Sequence, residues 1–200
     1  MASYIQSMQT EIEAKFTDIK LDEMRERLRQ LGAVCEYPER TMRRVNFNHI
    51  NGPRAWVRVR DEGDKVTMSY KQTFEDTLHG TKEINLVVDN FENAVELLEA
   101  VGLSGRIIQV TKRELWRLNE CDVTLDTWPW VPSFVEIEGL SEVAVRETAK
   151  LLGCEWERAL FGGVESVYLQ YYQLKDHEIN DWPEITFVPV PEWLIGKRKS

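Results

Sequence analysis

The chain has 200 residues, 42% hydrophobic and 30% charged, with a net charge of −9. This composition supports one sizeable core and excludes a disordered chain, and its acidity disfavours non-specific binding to nucleic acid or anionic membrane. Apolar runs such as Leu86–Val88 are only a few residues long, so no bilayer-spanning segment is expected.

The elements are predicted in chain order from periodicity and stop signals. Period-two alternation gives a strand over Gln9–Phe16. A helix follows over Leu21–Leu31, with Leu21, Met24, Leu28 and Leu31 on one stripe and Gly32 as its stop. Strands are expected over Met42–Phe47, Ala55–Arg60, Lys65–Gln72 and Lys82–Val88, with Asp61-Glu62-Gly63-Asp64 as a hairpin turn. A second helix covers Phe91–Val101, between the cap Asn90 and Gly102. Strands return over Ile107–Leu118, Asp122–Thr127 and Phe134–Glu138. Ser141 caps a third helix, Glu142–Leu152, which Gly153 stops, and a weaker fourth helix covers Val164–Leu174. About eight strands with short connections and few helices suggest a mostly antiparallel barrel or strongly curved sheet, helices outside. The expected fold class is α+β, a closed antiparallel eight-stranded β-barrel. Residues 1–176 are expected to form this domain. Residues 177–200 read as an extended tail with Pro183, Pro189 and Pro191 that packs by its aromatics Trp182 and Trp193 and ends in a solvated Lys197-Arg198-Lys199.

Met1-Ala2-Ser3-Tyr4 lacks a basic region followed by an apolar run, so no secretory signal is expected. Cys35, Cys121 and Cys154 are widely spaced and odd in number, which suits a reducing, cytoplasmic compartment. No CxxC pair suggests zinc, and no HExxH, GxSxG, P-loop or GxGxxG is present.

The strands carry charge on one face. Glu11, Glu13 and Lys15 alternate with Ile12, Ala14 and Phe16. The same format recurs with Trp56, Arg58 and Arg60, with Thr67, Ser69 and Lys71, with Glu83 and Asn85, and with Glu136 and Glu138. Outside a barrel these groups face water. Inside, they line a polar tunnel in which unpaired charge is costly, so the ligand must complement both signs. Several negative charges answer Lys15, Arg58, Arg60 and Lys71, and hard divalent cations answer the glutamates. Metal plus oligophosphate meets both demands.

These residues resemble a known family. Glu11-x-Glu13-x-Lys15 is similar to the ExExK signature of the CYTH superfamily, the triphosphate tunnel metalloenzymes. Trp56-Val57-Arg58-Val59-Arg60 resembles the family's LRxR strand, Ser69-Tyr70-Lys71 its strand ending in Lys, and Glu83 the acidic position that follows. Leu125-Asp126 and Phe134-Val135-Glu136-Ile137-Glu138 resemble LD…FvEiE, and Ser166-Val167-Tyr168 the SY element. The resemblance covers about residues 9–172. It implies a barrel tunnel and a divalent-metal-dependent reaction on a triphosphate. By this resemblance Glu11, Glu13, Glu136 and Glu138 hold Mg²⁺ or Mn²⁺. Lys15, Arg58, Arg60, Lys71 and Arg113 grip phosphate, with Lys15 and Lys71 as candidate catalytic cations. Glu83 and Asp126 support them. Three departures stand out: Asn46-Phe47-Asn48 replaces Tyr-Phe-Asp, Thr111 replaces the Lys of Lys-x-Arg, and Asn85 replaces a second acid. By parity Lys112 points outward unless a bulge turns it toward the tunnel.

His49, His79 and His177 read as isolated loop residues with solvated or structural roles. The Trp128-Pro129-Trp130 loop is expected to pack against the tail. The leading functional expectation is hydrolysis of an inorganic or small organic triphosphate. A class IV-type adenylate cyclase comes second and a non-catalytic nucleotide- or polyphosphate-binding module third, disfavoured by the four glutamates. The expected partner is a triphosphate-containing small molecule, with no nucleic acid and no membrane. A homodimer is compatible with this reading.

Overall fold

The computed structural model describes residues 8–49, 52–175 and 177–199. Alternating apolar and polar residues build the strands β1 (Gln9–Thr10), β2 (Glu13–Phe16), β3 (Val34–His49), β4 (Gly52–Asp61), β5 (Val66–Thr73), β6 (Thr81–Val88), β7 (Ser104–Leu118), β8 (Cys121–Thr127), β9 (Phe134–Gly139) and β10 (Glu184–Ile185). The amphipathic stretches form α1 (Leu21–Gln30), α2 (Phe91–Ala100), α3 (Glu142–Leu152), α4 (Glu165–Tyr171) and a short α5 (Glu192–Ile195). The Asn90 side chain accepts from Asn93 N–H at 2.8 Å, and Ser141 Oγ accepts from Ala144 N–H at 3.2 Å, so both predicted caps are made. Gly153 ends α3 in the left-handed region at φ 79°, a conformation that glycine adopts without steric cost. Among the described residues no helix is long and apolar enough to cross a membrane.

The strands join in the order β1-β6-β5-β4-β3-β7-β8-β9-β2, with every neighbouring pair antiparallel, and β10 adds in parallel to β7. The expectation of a closed eight-stranded barrel is corrected here: the sheet is a strongly curled, open half-barrel. The reason lies in the first predicted strand, which divides at Glu11-Ile12. Glu11 N–H donates to Thr81 C=O at 3.0 Å, toward β6, whereas Ile12 C=O accepts from Gly139 N–H at 3.1 Å, toward β9. One segment therefore supplies both edges of the sheet, and no ladder joins β1 to β2. Beyond β2, Leu160 exchanges backbone hydrogen bonds with Lys15, both at 2.9 Å, so a loop lines the remaining side.

The convex face is covered in two places. Ala14 and Phe16 of β2, Val123 and Leu125 of β8, and Val135 and Ile137 of β9 pack with Leu28 of α1 and Val145 and Ala149 of α3. Val45 and Phe47 of β3 and Val59 of β4 pack with Phe91, Ala94 and Val95 of α2. β3 begins at Val34, well before the predicted Met42. Its early half pairs with β7 through register shifts between Cys35 and Arg40, the stretch that holds Pro38. Irregular pairing around a proline hides the period-two signal.

A third core sits at one end of the sheet and is built largely from α4 and the tail. Trp128, Phe134, Tyr168, Tyr172, Ile179, Trp182, Ile185 and Leu194 are all buried in it. Tyr168 Oη donates to Pro129 C=O at 2.7 Å and Tyr172 Oη to Trp130 C=O at 2.6 Å, fastening α4 to the loop that follows β8. At the basic end of the tail Arg198 and Lys199 are exposed, as expected, yet the segment is tied to its neighbours. Lys197 pairs with Glu178, Lys199 N–H donates to Tyr171 C=O at 2.8 Å, and Arg198 bridges to Tyr172.

Candidate functional site

The side chains on the concave face line one cavity of about 670 Å³. Glu11, Glu13, Lys15, Arg58, Arg60, Lys71, Glu83, Arg113, Glu136 and Glu138 all reach it. Asp126, fully buried, stands behind Arg113. All eleven residues singled out from the sequence are thus brought together. Strand parity explains why: every inward residue alternates with one packed beneath a helix or facing solvent.

The cavity has walls of opposite sign. The centre of the strand order, β4-β3-β7, carries Arg58, Arg60 and Arg113, and its ends carry Glu11, Glu13, Glu136 and Glu138. Curling the sheet sets the centre opposite the ends. At the acidic wall, Glu13 pairs in register with Glu138, and Lys15 with Glu136. Lys15 Nζ lies 2.6 Å from Glu13 and 3.1 Å from Glu136, and donates to Gly162 C=O at 2.8 Å. Burial works against the Lys15 ammonium, but Glu13 and Glu136 outweigh it and hold its pKa above the ordinary lysine value. Glu136 is also pushed up by burial, but Lys15 and Arg113 outweigh this and hold it well below the carboxylate range. Glu13 is pushed up by burial against Lys15, with Glu136 and Glu11 adding repulsion. Glu138 has no ion-pair partner among the described residues. Burial and the neighbouring Glu13, Glu11 and Glu136 push it up to about 7. Lys71 pairs with Glu11 and lies 3.3 Å from Glu83.

Arg113 grips Asp126 with two hydrogen bonds, at 2.7 and 2.8 Å, and reaches Glu136 at 3.2 Å. Thr124 Oγ1 donates to the same Asp126 carboxylate at 2.8 Å. Arg60 binds Glu62 at 2.9 and 2.6 Å. Arg58 has no such partner, and its buried Nε lacks an acceptor. Burial, then Arg60, pulls the Arg58 pKa down to about 9.

Several lining residues escaped the sequence reading. Arg44, 3% exposed, shares the inward face with Asn46 and Asn48, and its alternation with Val45 and Phe47 was the available signal. Glu62 hid inside a predicted turn; it bends back, buried, onto Arg60 and Thr67. Thr111 is fully buried and accepts from Arg44 at 2.6 Å, while Lys112 lies outside, 3.2 Å from Glu39, as parity required. The Trp-Pro-Trp loop divides its aromatics. Trp130 donates to Val188 C=O in the tail at 2.8 Å, whereas Trp128 faces the cavity. The histidines are not without partners: His79 lies 3.6 Å from Glu142, and His177, at the cavity, 3.5 Å from Glu165. His49 ends β3, and its side chain lies outside the described set.

The glutamates form a set of hard oxygen donors. Among the described residues no three His, Cys, Asp or Glu groups converge on one point as they stand, because Lys15 sits between Glu13 and Glu136. The chemistry of the set nonetheless suits a divalent cation. Glu138 is unbalanced, Glu11 Oε2 is buried without a hydrogen-bond partner, and a hard cation relieves both.

The curled antiparallel sheet thus carries facing groups of arginine and glutamate on its concave face. The chain belongs to the CYTH domain family, whose model matches residues 9–152. No curated protein matches it. Among solved structures, a Pyrococcus horikoshii OT3 protein is 22% identical with a TM-score of 0.63, over 74% of this chain and 93% of its own. A candidate adenylate cyclase of Vibrio parahaemolyticus is 11% identical with a TM-score of 0.68, over 81% and 99%. A Hippeastrum protein with a dominant triphosphatase activity is 14% identical with a TM-score of 0.50, over 86% and 99%.

Proposed function

We propose that the chain is a divalent-metal-dependent hydrolase that cleaves a phosphoanhydride bond of an inorganic or small organic triphosphate held in this cavity. The observation that carries the reading is the pair of opposed walls. The basic wall holds a half-buried Arg58 with no ion-pair partner among the described residues and a buried Nε without an acceptor, and the acidic wall holds mutually repelling carboxylates; a metal-bound triphosphate answers both. Arg58, Arg60 and Arg113 bind phosphate oxygens, which suits the planar, forked guanidinium. Lys15 and Lys71 place point charges beside the chain of phosphates from the acidic side. Glu11, Glu13, Glu136 and Glu138 hold Mg²⁺ or Mn²⁺, and Glu83 and Asp126 orient Lys71 and Arg113. When bound, such a cation neutralises charge on the phosphate oxygens and lowers the pKa of a bound water. The protein's own share is positioning and charge neutralisation, which dominates phosphoryl-transfer catalysis. The Hippeastrum relative's triphosphatase activity supports this choice.

A second reading is cyclisation of ATP. It is favoured by the half-buried Trp56 side chain in the same cavity, which offers surface to a base, and by the Vibrio relative. A product assay separates the two. Purified protein receives tripolyphosphate, thiamine triphosphate or ATP with Mg²⁺ or Mn²⁺, and phosphate, pyrophosphate and cyclic AMP are followed. Release of phosphate supports the hydrolase. Cyclic AMP with pyrophosphate supports the cyclase. Binding without turnover overturns both and leaves a binding module.

A further inference from the structure

We propose that Arg44 is a further phosphate-binding residue, seated on Trp128 at the basic wall and acting beside Arg58. The inference rests on the triphosphate reading of the cavity. In the β3 ladders Arg44 stands opposite Arg60 of β4 and Gln109 of β7. Arg58 stands opposite Asn46, so Arg44 and Arg58 are diagonal neighbours on one face, within reach of each other for long side chains. Arg44 is held in place from two sides. Its guanidinium lies 4.8 Å from the Trp128 ring centroid, and its Nη2 donates to Thr111 Oγ1 at 2.6 Å. Stacking on an indole fixes the plane of a guanidinium and leaves the edge of its fork free to donate.

What the surroundings lack is a carboxylate in contact: Asp126 acts on Arg44, and Glu11 and Glu83 on Arg58, only from a distance. Arg60 has Glu62, and Arg113 has Asp126 and Glu136. Arg44 and Arg58 have no carboxylate within ion-pair distance among the described residues, and the Nε of each is buried without an acceptor. Burial, then Arg60, Arg58 and Arg113, all work against the Arg44 charge. A buried cation without an ion-pair partner destabilises the fold, and a half-buried one beside it adds to the cost. Water can take up an orphaned N–H but cannot balance the charge. An anion with several oxygens does both, and a triphosphate supplies more than one charged group to this stretch of wall. Arg44 therefore extends the phosphate grip from β4 onto β3.

The test compares Arg44→Gln, Arg58→Gln and the double variant Arg44→Gln/Thr111→Lys. The double variant returns an ammonium to the wall from the residue that Arg44 touches. Tripolyphosphate affinity is measured by calorimetry with Mg²⁺ present, and melting temperature is measured without ligand. The expected result is at least tenfold weaker binding in Arg44→Gln, an unchanged or higher ligand-free melting temperature, and substantial recovery in the double variant. Arg44→Gln binding within twofold of wild type, while Arg58→Gln is weakened, overturns the role of Arg44 and spares the cavity reading. Undiminished binding in both single variants overturns the cavity reading itself. Should Arg44→Gln melt well below wild type, Arg44→Lys decides. Wild-type affinity in that correctly melting variant makes the Arg44 charge the binding feature, and affinity as low as that of Arg58→Gln with no gain from Thr111→Lys overturns a direct phosphate contact.

Discussion

Replacing Glu138 by Gln keeps the shape of the acidic wall and removes one of its charges. In the folded protein this carboxyl is pushed from 4.5 up to about 7 by burial and by Glu13, Glu11 and Glu136. At 1.36 kcal/mol per pKa unit, the difference corresponds to roughly 3 kcal/mol. The sign follows from the folded value lying above the unfolded one. The stabilising contribution of protonated Glu138 is fully present below about pH 4.5 and is lost as pH rises through about 7. At pH 8 the metal-free wild type bears the whole cost and the variant bears none. The Gln amide must still be hydrogen-bonded where it is buried, which leaves a net gain of about 1–3 kcal/mol. For a chain of this size, that raises the melting temperature by roughly 3–10 °C at pH 8. At pH 4 the two proteins should melt together. Turnover with Mg²⁺ should fall at least about a hundredfold, since an anionic ligand is lost. The assay is paired: thermal unfolding of metal-free protein from pH 4 to 8, and turnover of tripolyphosphate with saturating metal. A variant no more stable than wild type at pH 8, with turnover intact, refutes both the charge crowding and the metal role of Glu138.

Three further outcomes are expected. Excess EDTA should abolish turnover, and Mg²⁺ with tripolyphosphate should raise the melting temperature, because the ligands bind only the folded state; full activity in EDTA removes the metal from the scheme. Arg58, pulled down from the ordinary arginine value to about 9, carries a folding cost that is complete below pH 9 and fades as pH rises above it. Arg58→Ala should thus hold or raise the ligand-free melting temperature at pH 7 while weakening tripolyphosphate binding more than about tenfold. A fall in stability with unchanged binding would place the arginine in a structural role. Tyr168→Phe leaves the Pro129 carbonyl without its donor and should cost about 1–2 kcal/mol in urea unfolding, with unchanged tripolyphosphate affinity. An unaltered midpoint would show that this hydrogen bond does not anchor α4.

The site was legible because its residues sit on strands, where a period of two sorts side chains without knowledge of the partner strand. Glu11, Glu13 and Lys15, or Arg58 and Arg60, declare their common face locally. Glu62 did not, because a turn residue has no such period and its contact with Arg60 depends on how the chain folds back. The first three helices were legible from apolar stripes, stop glycines and, in α2 and α3, side-chain caps, with boundaries within a residue or so. Barrel closure was not. Whether Gln9–Phe16 runs on as one strand or divides at Glu11-Ile12 depends on the positions of Thr81 and Gly139, which no local pattern encodes. The tail was legible in part. Its tryptophans were expected to pack, and Trp182 does, but three prolines and scattered aromatics carry no period, so the burial of Leu194 beside Tyr168 and the pairing of Lys197 with Glu178 had no local signal.

The divided N-terminal segment has a consequence for the order in which the molecule is made. Lys15 Nζ and Gly162 C=O meet across 147 residues of sequence, and Glu11 and Lys71 across 60. During synthesis the segment bearing Glu11, Glu13 and Lys15 emerges long before its partners on β9 and in the loop at Leu160. Contacts this distant in sequence form slowly. Until the segment docks, β6 and β9 each present a bare edge, the kind that recruits strands from other chains. The same few residues that complete the charged cavity therefore act as the edge guard of the nascent sheet. A substitution that slows their docking, such as proline at Ala14, should be felt first as aggregation of newly made chains, before any loss of activity in the molecules that mature.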